Sequence, residues 1–335
     1  MSGGGGDEMA IQTIVEKLSP GETLRTYRYA RLSIIGAVLL LAIVLGIYVA
    51  NEGMIESVSA SYYTPARNVF VGVLFAVCLA FLAISGSGAQ HYLLNLAALM
   101  APVVAVVPTP ITSRELLRLS GLSCDDGEVQ CVRELVNQEV RMSVSGLVVI
   151  GIIGLIAAVW ISVAEGKPWR NALLEYALPA LAILAFGAWM MLDFTGFKKG
   201  AHVLAAVLFF LPIALIAAIH AVQISSEGGQ GRRSVSKYVQ GYAVIGFVIA
   251  LDVIVMAGLL VADDWGLLDA QQMLGPWWVF VGEAIAIGAF GAFWLLRTIE
   301  TWGEEREVIE KQKDDVTAAK ARIAPEEQVG KAASV

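Results

Sequence analysis

The sequence predicts an all-α polytopic integral membrane protein of about eight transmembrane helices. Composition is the first observation behind that expectation. The 335 residues are 57% hydrophobic and 16% charged, with a mean hydropathy of +0.69, whereas soluble chains are about half apolar and about a quarter charged. Spacing is the second: apolar residues fall in runs of roughly 20 with almost no charge, long enough to cross a ~30 Å hydrocarbon core as helices. Third, the ~10-residue alternation that marks barrel strands is absent. Helices are then the remaining way to satisfy backbone groups in lipid.

The spans are expected at 29–50, 67–86, 92–108, 143–164, 172–193, 201–223, 239–262 and 277–297. The third, YLLNLAALMAPVVAVVP, is the shortest and is interrupted by Pro102. Residues 1–28 are polar. The first span is too long for a signal-peptide core and lacks a small-residue cleavage site, so it reads as a retained start-transfer helix. Residues 298–335 form a charged tail, whose EEREVIEKQKDDVTAAKARI stretch should extend the last helix until Pro325.

Lysine and arginine set the expected orientation. With both termini cytoplasmic, Lys17, Arg25, Arg28, Arg31, Lys167, Arg170, Arg232, Arg233, Lys237 and Arg297 lie inside with the basic residues of the tail. Arg67, Arg114, Arg118, Arg133, Arg141, Lys198 and Lys199 lie outside. The bias is roughly two to one. The net charge of −7 comes largely from the ends and loops, and no basic aromatic patch points to nucleic acid. Membrane lipids are the expected partners.

The longest loop, 109–142, then faces outward. SRELLRLSGL and EVQCVRELVNQEVRM carry apolar residues at helical spacing, which predicts two short amphipathic helices. Cys124 and Cys131 bracket DDGEVQ in a compartment where disulfides persist, so a bridge is expected. Cys78, within the second span, reads as a small packing residue. Trp189, Trp265, Trp277 and Trp278 fall at expected outer edges and Trp160, Trp169, Trp294 and Trp302 at inner ones, as interfacial anchors do. Gly146, Gly151 and Gly154, and Gly282, Gly288 and Gly291, lighten one side of two helices. They read as packing seams, within the chain or between subunits of a homo-oligomer.

Ionisable groups inside spans are costly and default to a functional hypothesis. Asp252 sits near the middle of the seventh span. Glu283 lies ~9 Å below the outer end of the eighth, His202 opens the sixth, and Arg67 and Asn68 open the second on the same side. The serine–tyrosine stretch SVSASYYTPARNVFVG (57–72) lies directly above them. If these residues meet, Arg67 with Glu283 is the natural ion pair. A structural polar clamp joining helix ends is an equal reading. The three histidines cannot form a zinc centre together, since His202 and His220 are ~27 Å apart on one helix. No GxSxG elbow, HExxH or P-loop appears, no lysine lies within a span for a Schiff base, and no cofactor is expected.

ESVSASYYTPARNVFVG (56–72) resembles the signature E-S-I-S-A-Y-Y-Y-T-x-x-R-D-V-F-V-G of a group of uncharacterised bacterial multi-pass membrane proteins, distantly similar in layout to DRAM-type proteins. AVVPTP (105–110), HVLAAVLFF (202–210) and EAIAIGAFGAFWL (283–295) resemble further pieces of it in the same order. The resemblance implies a six-helix core, with the fourth and fifth spans as an inserted helical hairpin, in a bacterial plasma membrane. It singles out Glu56, Ser57, Ser59, Tyr62, Tyr63, Thr64, Arg67, His202 and Glu283. Asn68 stands where the group has aspartate, and Ser61 where it has an aromatic residue.

The expected function is an outward-facing polar pocket built from Ser57, Ser59, Tyr62, Tyr63, Arg67, Asn68, His202, Asp252 and Glu283. It would bind a lipid headgroup or small polar ligand without covalent change. Transport with Asp252 as a proton or cation relay is the alternative. The third reading is hydrolysis, with His202 as base and Ser57 or Ser59 as nucleophile.

Overall fold

The computed structural model describes residues 20–85, 89–111, 129–227 and 233–302, together with Leu116 and Leu119. Among these residues 88% are helical and none lies in a strand. The chain is an all-α polytopic membrane protein. Its helices are α1 (Pro20–Glu52), α2 (Arg67–Ile84), α3 (Ala89–Val106), α4 (Val129–Ala164), α5 (Trp169–Glu175), α6 (Ala177–Leu192), α7 (Phe194–Glu227), α8 (Arg233–Asp264), α9 (Ala270–Leu274) and α10 (Trp278–Trp302). Six of them (α1, α2, α4, α7, α8 and α10) are long and apolar enough to span a membrane, and α3 and α6 are shorter apolar helices. Large side chains such as Leu39, Ile43, Ile153 and Phe247 are exposed on their flanks. That pattern stabilises a protein only when the surrounding solvent is hydrocarbon.

Packing follows chain order and then closes. α1 lies on α2, α2 on α3, α3 on α7 and α7 on α8. α10 completes the ring, with Gly291 seated against Val38 of α1 and Leu296 against Gly241 of α8. The α4–α6 hairpin packs outside this core against α3 and α7, which is the core-plus-hairpin arrangement. The two ends of the described chain meet: Arg28 Nη2 donates to the Trp302 carbonyl at 3.1 Å, and its guanidinium stacks over that indole.

Several local expectations are revised. EVQCVRELVNQEVRM is not a separate short helix, because α4 runs unbroken through it from Val129 to Ala164. At 1.5 Å per residue its 36 residues span ~54 Å, well beyond a ~30 Å core. The fifth span is divided at Tyr176 into α5 and α6, since Pro179 has no N–H to bond the Glu175 carbonyl. Trp294 is not an interfacial anchor but is buried at 5% exposure. Its aromatic neighbours are Phe81, Phe290 and Phe293. Cys124, most of SRELLRLSGL and the tail beyond Trp302 lie outside the described residues, and the expected Cys124–Cys131 bridge with them; Cys78 is a buried free thiol.

The glycine seams are also only partly intramolecular. A Cβ at Gly151 would meet Ile183, at Gly282 Met256 and at Gly291 Val38, while Gly146, Gly154 and Gly288 face open space. The tightest backbone approach is at Gly246, where a Cβ would lie 3.1 Å from the Ala214 carbonyl oxygen and 3.2 Å from the Ala217 Cβ. Gly246→Leu must push α8 off α7, whereas Gly146→Leu meets nothing within the chain. Gly246→Leu is expected to lose about 1–3 kcal/mol and Gly146→Leu to stay near native, measured by thermal unfolding in detergent.

Candidate functional site

The site is built on the segment between α1 and α2. Gly53 ends α1 at φ +90°, a conformation that favours glycine, and its N–H caps the Val49 carbonyl at 3.0 Å. The chain then folds back onto the bundle instead of standing out from it. The Phe280 N–H donates to the Glu56 carbonyl at 3.0 Å, tying the segment to the start of α10. Residues 59–63 form one 3-10 turn. Ser57 Oγ accepts from the Ala60 N–H at 2.9 Å and opens the turn. Thr64 closes it, its hydroxyl donating to the Ser61 carbonyl and accepting from the Ala66 N–H. Ser57, Ser59, Ser61, Tyr62 and Thr64 are all buried.

This fold-back brings three distant side chains together. Ser59 Oγ lies 2.7 Å from Glu283 Oε1 and 2.9 Å from His202 Nε2. The Ser59 N–H donates to Glu283 Oε2 at 3.0 Å, and the Val58 N–H also donates to this carboxyl. His202 Nδ1 faces the Val107 carbonyl at 2.6 Å. That carbonyl is available because Pro108 and Pro110 stop α3 just beyond it.

The partners restrict where protons can sit. A carbonyl oxygen only accepts, so His202 Nδ1 carries hydrogen. If Nε2 carries none, Ser59 donates to it, and Glu283 must be protonated to donate to Ser59 Oγ. If Nε2 is protonated it donates to Ser59, which passes its own hydrogen to an ionised Glu283. Both arrangements are neutral overall and differ by the shift of one proton across the serine. Asp252 on α8 lies within electrostatic reach of Glu283 but makes no hydrogen bond to it among the described contacts.

A second, more exposed cluster lies beside the first. Arg67 Nη2 donates to Tyr62 Oη at 2.7 Å and to Glu139 Oε2 at 2.6 Å, and its guanidinium lies over the Tyr62 ring at 4.1 Å. The expected Arg67–Glu283 pair is therefore corrected. Arg67 pairs with Glu139, which the extension of α4 carries over the 3-10 turn, and Glu283 is satisfied from the backbone and Ser59. The extension is itself anchored on α7, where Lys198 Nζ donates to Asn137 Oδ1 at 2.7 Å and Arg141 stacks on Phe194. Tyr63 donates to the Thr109 carbonyl at 3.0 Å. Asn68 is exposed on α2 and stands outside the buried cluster. Ser61 Oγ is fully buried with no hydrogen-bond partner.

Of the residues the sequence selected, Ser59, His202 and Glu283 form the cluster, and Asp252 lies within electrostatic reach of Glu283. Ser57 shapes the turn, while Tyr62, Tyr63 and Arg67 form its outer wall. Glu139 escaped the sequence reading. The one signal for it was that a charged Arg67 at a membrane edge demands a carboxylate. A cavity of ≈ 660 Å³ lies elsewhere, between α2–α3 and the α4–α6 hairpin, lined by apolar side chains such as Leu79, Leu99, Val148 and Phe186. It lies where the hairpin meets the core and holds none of the cluster.

Comparison with family models, with curated proteins and with solved structures found no match to this chain.

Burial pushes the Tyr62 phenol up to about 12, with Arg67 opposing the shift, and pushes Tyr63 up further by the same cause. Between about pH 10 and about pH 12 the folded chain holds a Tyr62 proton that the unfolded chain has lost. Stability is therefore expected to fall with rising pH across that window. Absorbance titration of the folded protein should show late-ionising phenols, with one fewer in Tyr62→Phe. Ionisation of every tyrosine near pH ~10 counts against the buried turn.

Proposed function

We propose that this is a proton-coupled membrane transport protein, with the Glu283–Ser59–His202 chain as its proton-binding site. The observation that carries this reading is the pair of contacts on Ser59 Oγ, 2.7 Å to the carboxyl and 2.9 Å to the imidazole. Carboxyl and imidazole chains inside membrane domains serve as proton relays, and a further carboxyl, Asp252 on α8, lies within electrostatic reach of Glu283. Along α10, Phe290 follows Glu283 by ~10 Å. There Phe81, Phe209, Phe290 and Trp294 form an aromatic septum. Polar groups return at Arg297 and Glu300, with Tyr242 donating to Glu300. Polar ends divided by an apolar septum suit a path that opens to one side at a time.

Uptake of a second proton would leave both Glu283 and Nε2 protonated, each donating to Ser59 Oγ. The carboxyl then no longer accepts charge-assisted bonds from the Val58 and Ser59 N–H groups, which are roughly twice as strong as neutral ones. The 3-10 turn is held less firmly and can lift. Lysine and arginine bias supports placing both termini on the cytoplasmic side of the membrane, with the turn facing out, and the resemblance of the 56–72 stretch supports a bacterial plasma membrane. Binding of a lipid headgroup at the same place draws less support, because Ser57, Ser59, Tyr62 and His202 are all buried.

Infrared spectroscopy of the reconstituted protein tests the proton site. A protonated-carboxyl C=O band should grow as pH falls, and should be missing in Glu283→Gln. A band that does not respond to pH, or is unchanged in Glu283→Gln, overturns the reading.

Hydrolysis is favoured by one observation, since Ser59 Oγ lies within nucleophile–base distance of His202. Against it, the Val58 and Ser59 N–H groups that could serve an oxyanion are occupied by Glu283. A fluorophosphonate probe followed by peptide mass spectrometry is expected to leave Ser59 unmodified. An adduct at Ser59 that disappears in His202→Gln would replace the proton reading with the hydrolytic one.

A further inference from the structure

The extension of α4 and the first turns of α7 bring together two cations that no acid satisfies. Arg133, Asn137 and Arg141 recur every four residues along α4 and so share one face. That face meets α7, where Lys198 Nζ donates to Asn137 Oδ1 at 2.7 Å. Arg141 and Lys198 both lie over the Phe194 ring, their charged ends 3.7 and 5.1 Å from its centroid. The two charges are therefore at most about 9 Å apart, comparable to the Debye length of about 10 Å at 0.1 M salt. Arg133 also lies within electrostatic reach of Lys198.

The nearby carboxylates are engaged elsewhere. Glu139 is taken by Arg67 and Tyr62, Glu134 accepts from Gln130, and Asp193 Oδ1 accepts from the Gly196 N–H at 2.9 Å. Among the described residues neither Arg141 nor Lys198 forms a salt bridge. Like charges held over one ring repel, and an anion placed against both offsets that cost. Arg141 is exposed and Lys198 half-buried, so a ligand can reach them. Arg141 stands just before the apolar run of α4, and the exposed Met191 and Leu192 come shortly before Phe194. The pair thus sits at the boundary between membrane and water.

An apolar cavity begins one turn further along α4. The ≈ 660 Å³ space between the hairpin and α2–α3 is bordered on α4 from Val144 to Ala158, ~21 Å of rise. That exceeds the ~15 Å depth of one leaflet of hydrocarbon. The polar residues of its lining, Asn95 and Tyr176, are at the far end and bond to His91 and Ser162. Leu79, Ile150 and Ile153 border it and are exposed, so it opens sideways to hydrocarbon. Free cations at headgroup level above a hydrocarbon slot match an anionic amphiphile.

We propose that the junction of hairpin and core holds an anionic phospholipid, its headgroup phosphate against Arg141 and Lys198 and an acyl chain in the cavity. The inference does not rest on the proton-binding reading, and failure of that reading leaves it standing.

Native mass spectrometry of the full chain in detergent tests it, by titration with phosphatidylglycerol or with phosphatidylcholine of the same acyl chains. Phosphatidylglycerol is expected to bind at a discrete stoichiometry and more tightly. Arg141→Gln and Lys198→Gln should each bind it roughly fivefold more weakly and bind phosphatidylcholine as native. Arg170→Gln, an exposed arginine on α5, should bind both as native. Because Arg141 is exposed, its variant keeps the test open if Lys198→Gln does not fold. Gly154 borders the cavity, and a Cβ there meets nothing within 4 Å. Gly154→Leu is therefore expected to fold, to obstruct the acyl chain and to weaken both lipids. Native-like binding of phosphatidylglycerol by Arg141→Gln or by Gly154→Leu overturns the proposal. Equal binding of the two lipids by the native protein overturns it too; a saturable rise of Tm with inorganic phosphate then assigns the pair to a free anion.

Discussion

The structure turns on how one carboxyl inside a membrane helix is satisfied. Glu283 could not remain in α10 at that depth without donors, because an isolated carboxylate in low dielectric is strongly disfavoured. No neighbouring helix can supply main-chain N–H groups, since helices spend theirs internally. The donors come from an irregular stretch, the Val58 and Ser59 N–H groups and the Ser59 hydroxyl. Irregular backbone at membrane depth is tolerated where protein surrounds it. Here the buried serines and Thr64 bond within the turn, to Glu283 or to His202, with Ser61 Oγ the exception.

Once the segment is drawn in, other features follow. α1 must stop at Gly53 and reverse, and α2 must start at Arg67 on the rim of the turn. Arg67 then points toward the extension of α4, where Glu139 meets it, and the hairpin becomes a cover for the turn as well as an appendage to the core. His202 reaches Ser59 from α7 and is fixed by a carbonyl that two prolines release from α3. The turn, α7 and α10 therefore meet at one hydroxyl. Rigid helices hold the carboxyl and imidazole while the short turn carries the serine between them, and the turn is the part that a change of charge can move.

Depth reasoning made part of this legible. Ser59, His202 and Glu283 were recognisable because polar groups beside long apolar runs have few ways to be satisfied: His202 and Glu283 fell at one level of two spans, with the serine–tyrosine stretch directly above. Pairing was not legible. Arg67 and Glu283 are level and opposite in charge, yet each found another partner, because Glu139 was hidden in what read as a separate loop helix. Asn68 follows Arg67 directly, but a step of ~100° around a helix carries it to the exposed face. The aromatic septum draws on helices far apart in the chain and had no local signature.

Hydrophobicity and length alone determined that this chain lives in a membrane as helices, where those helices run, and which polar residues carry a cost there. These are properties of a segment in its solvent, and adjacent residues suffice to express them. Tertiary structure decided which costs cancel: that the segment between α1 and α2 turns inward, that α4 continues through its polar lead-in, and that one serine joins Glu283 to His202. Those outcomes depend on distances between segments up to 224 positions apart, which only the packed helices establish.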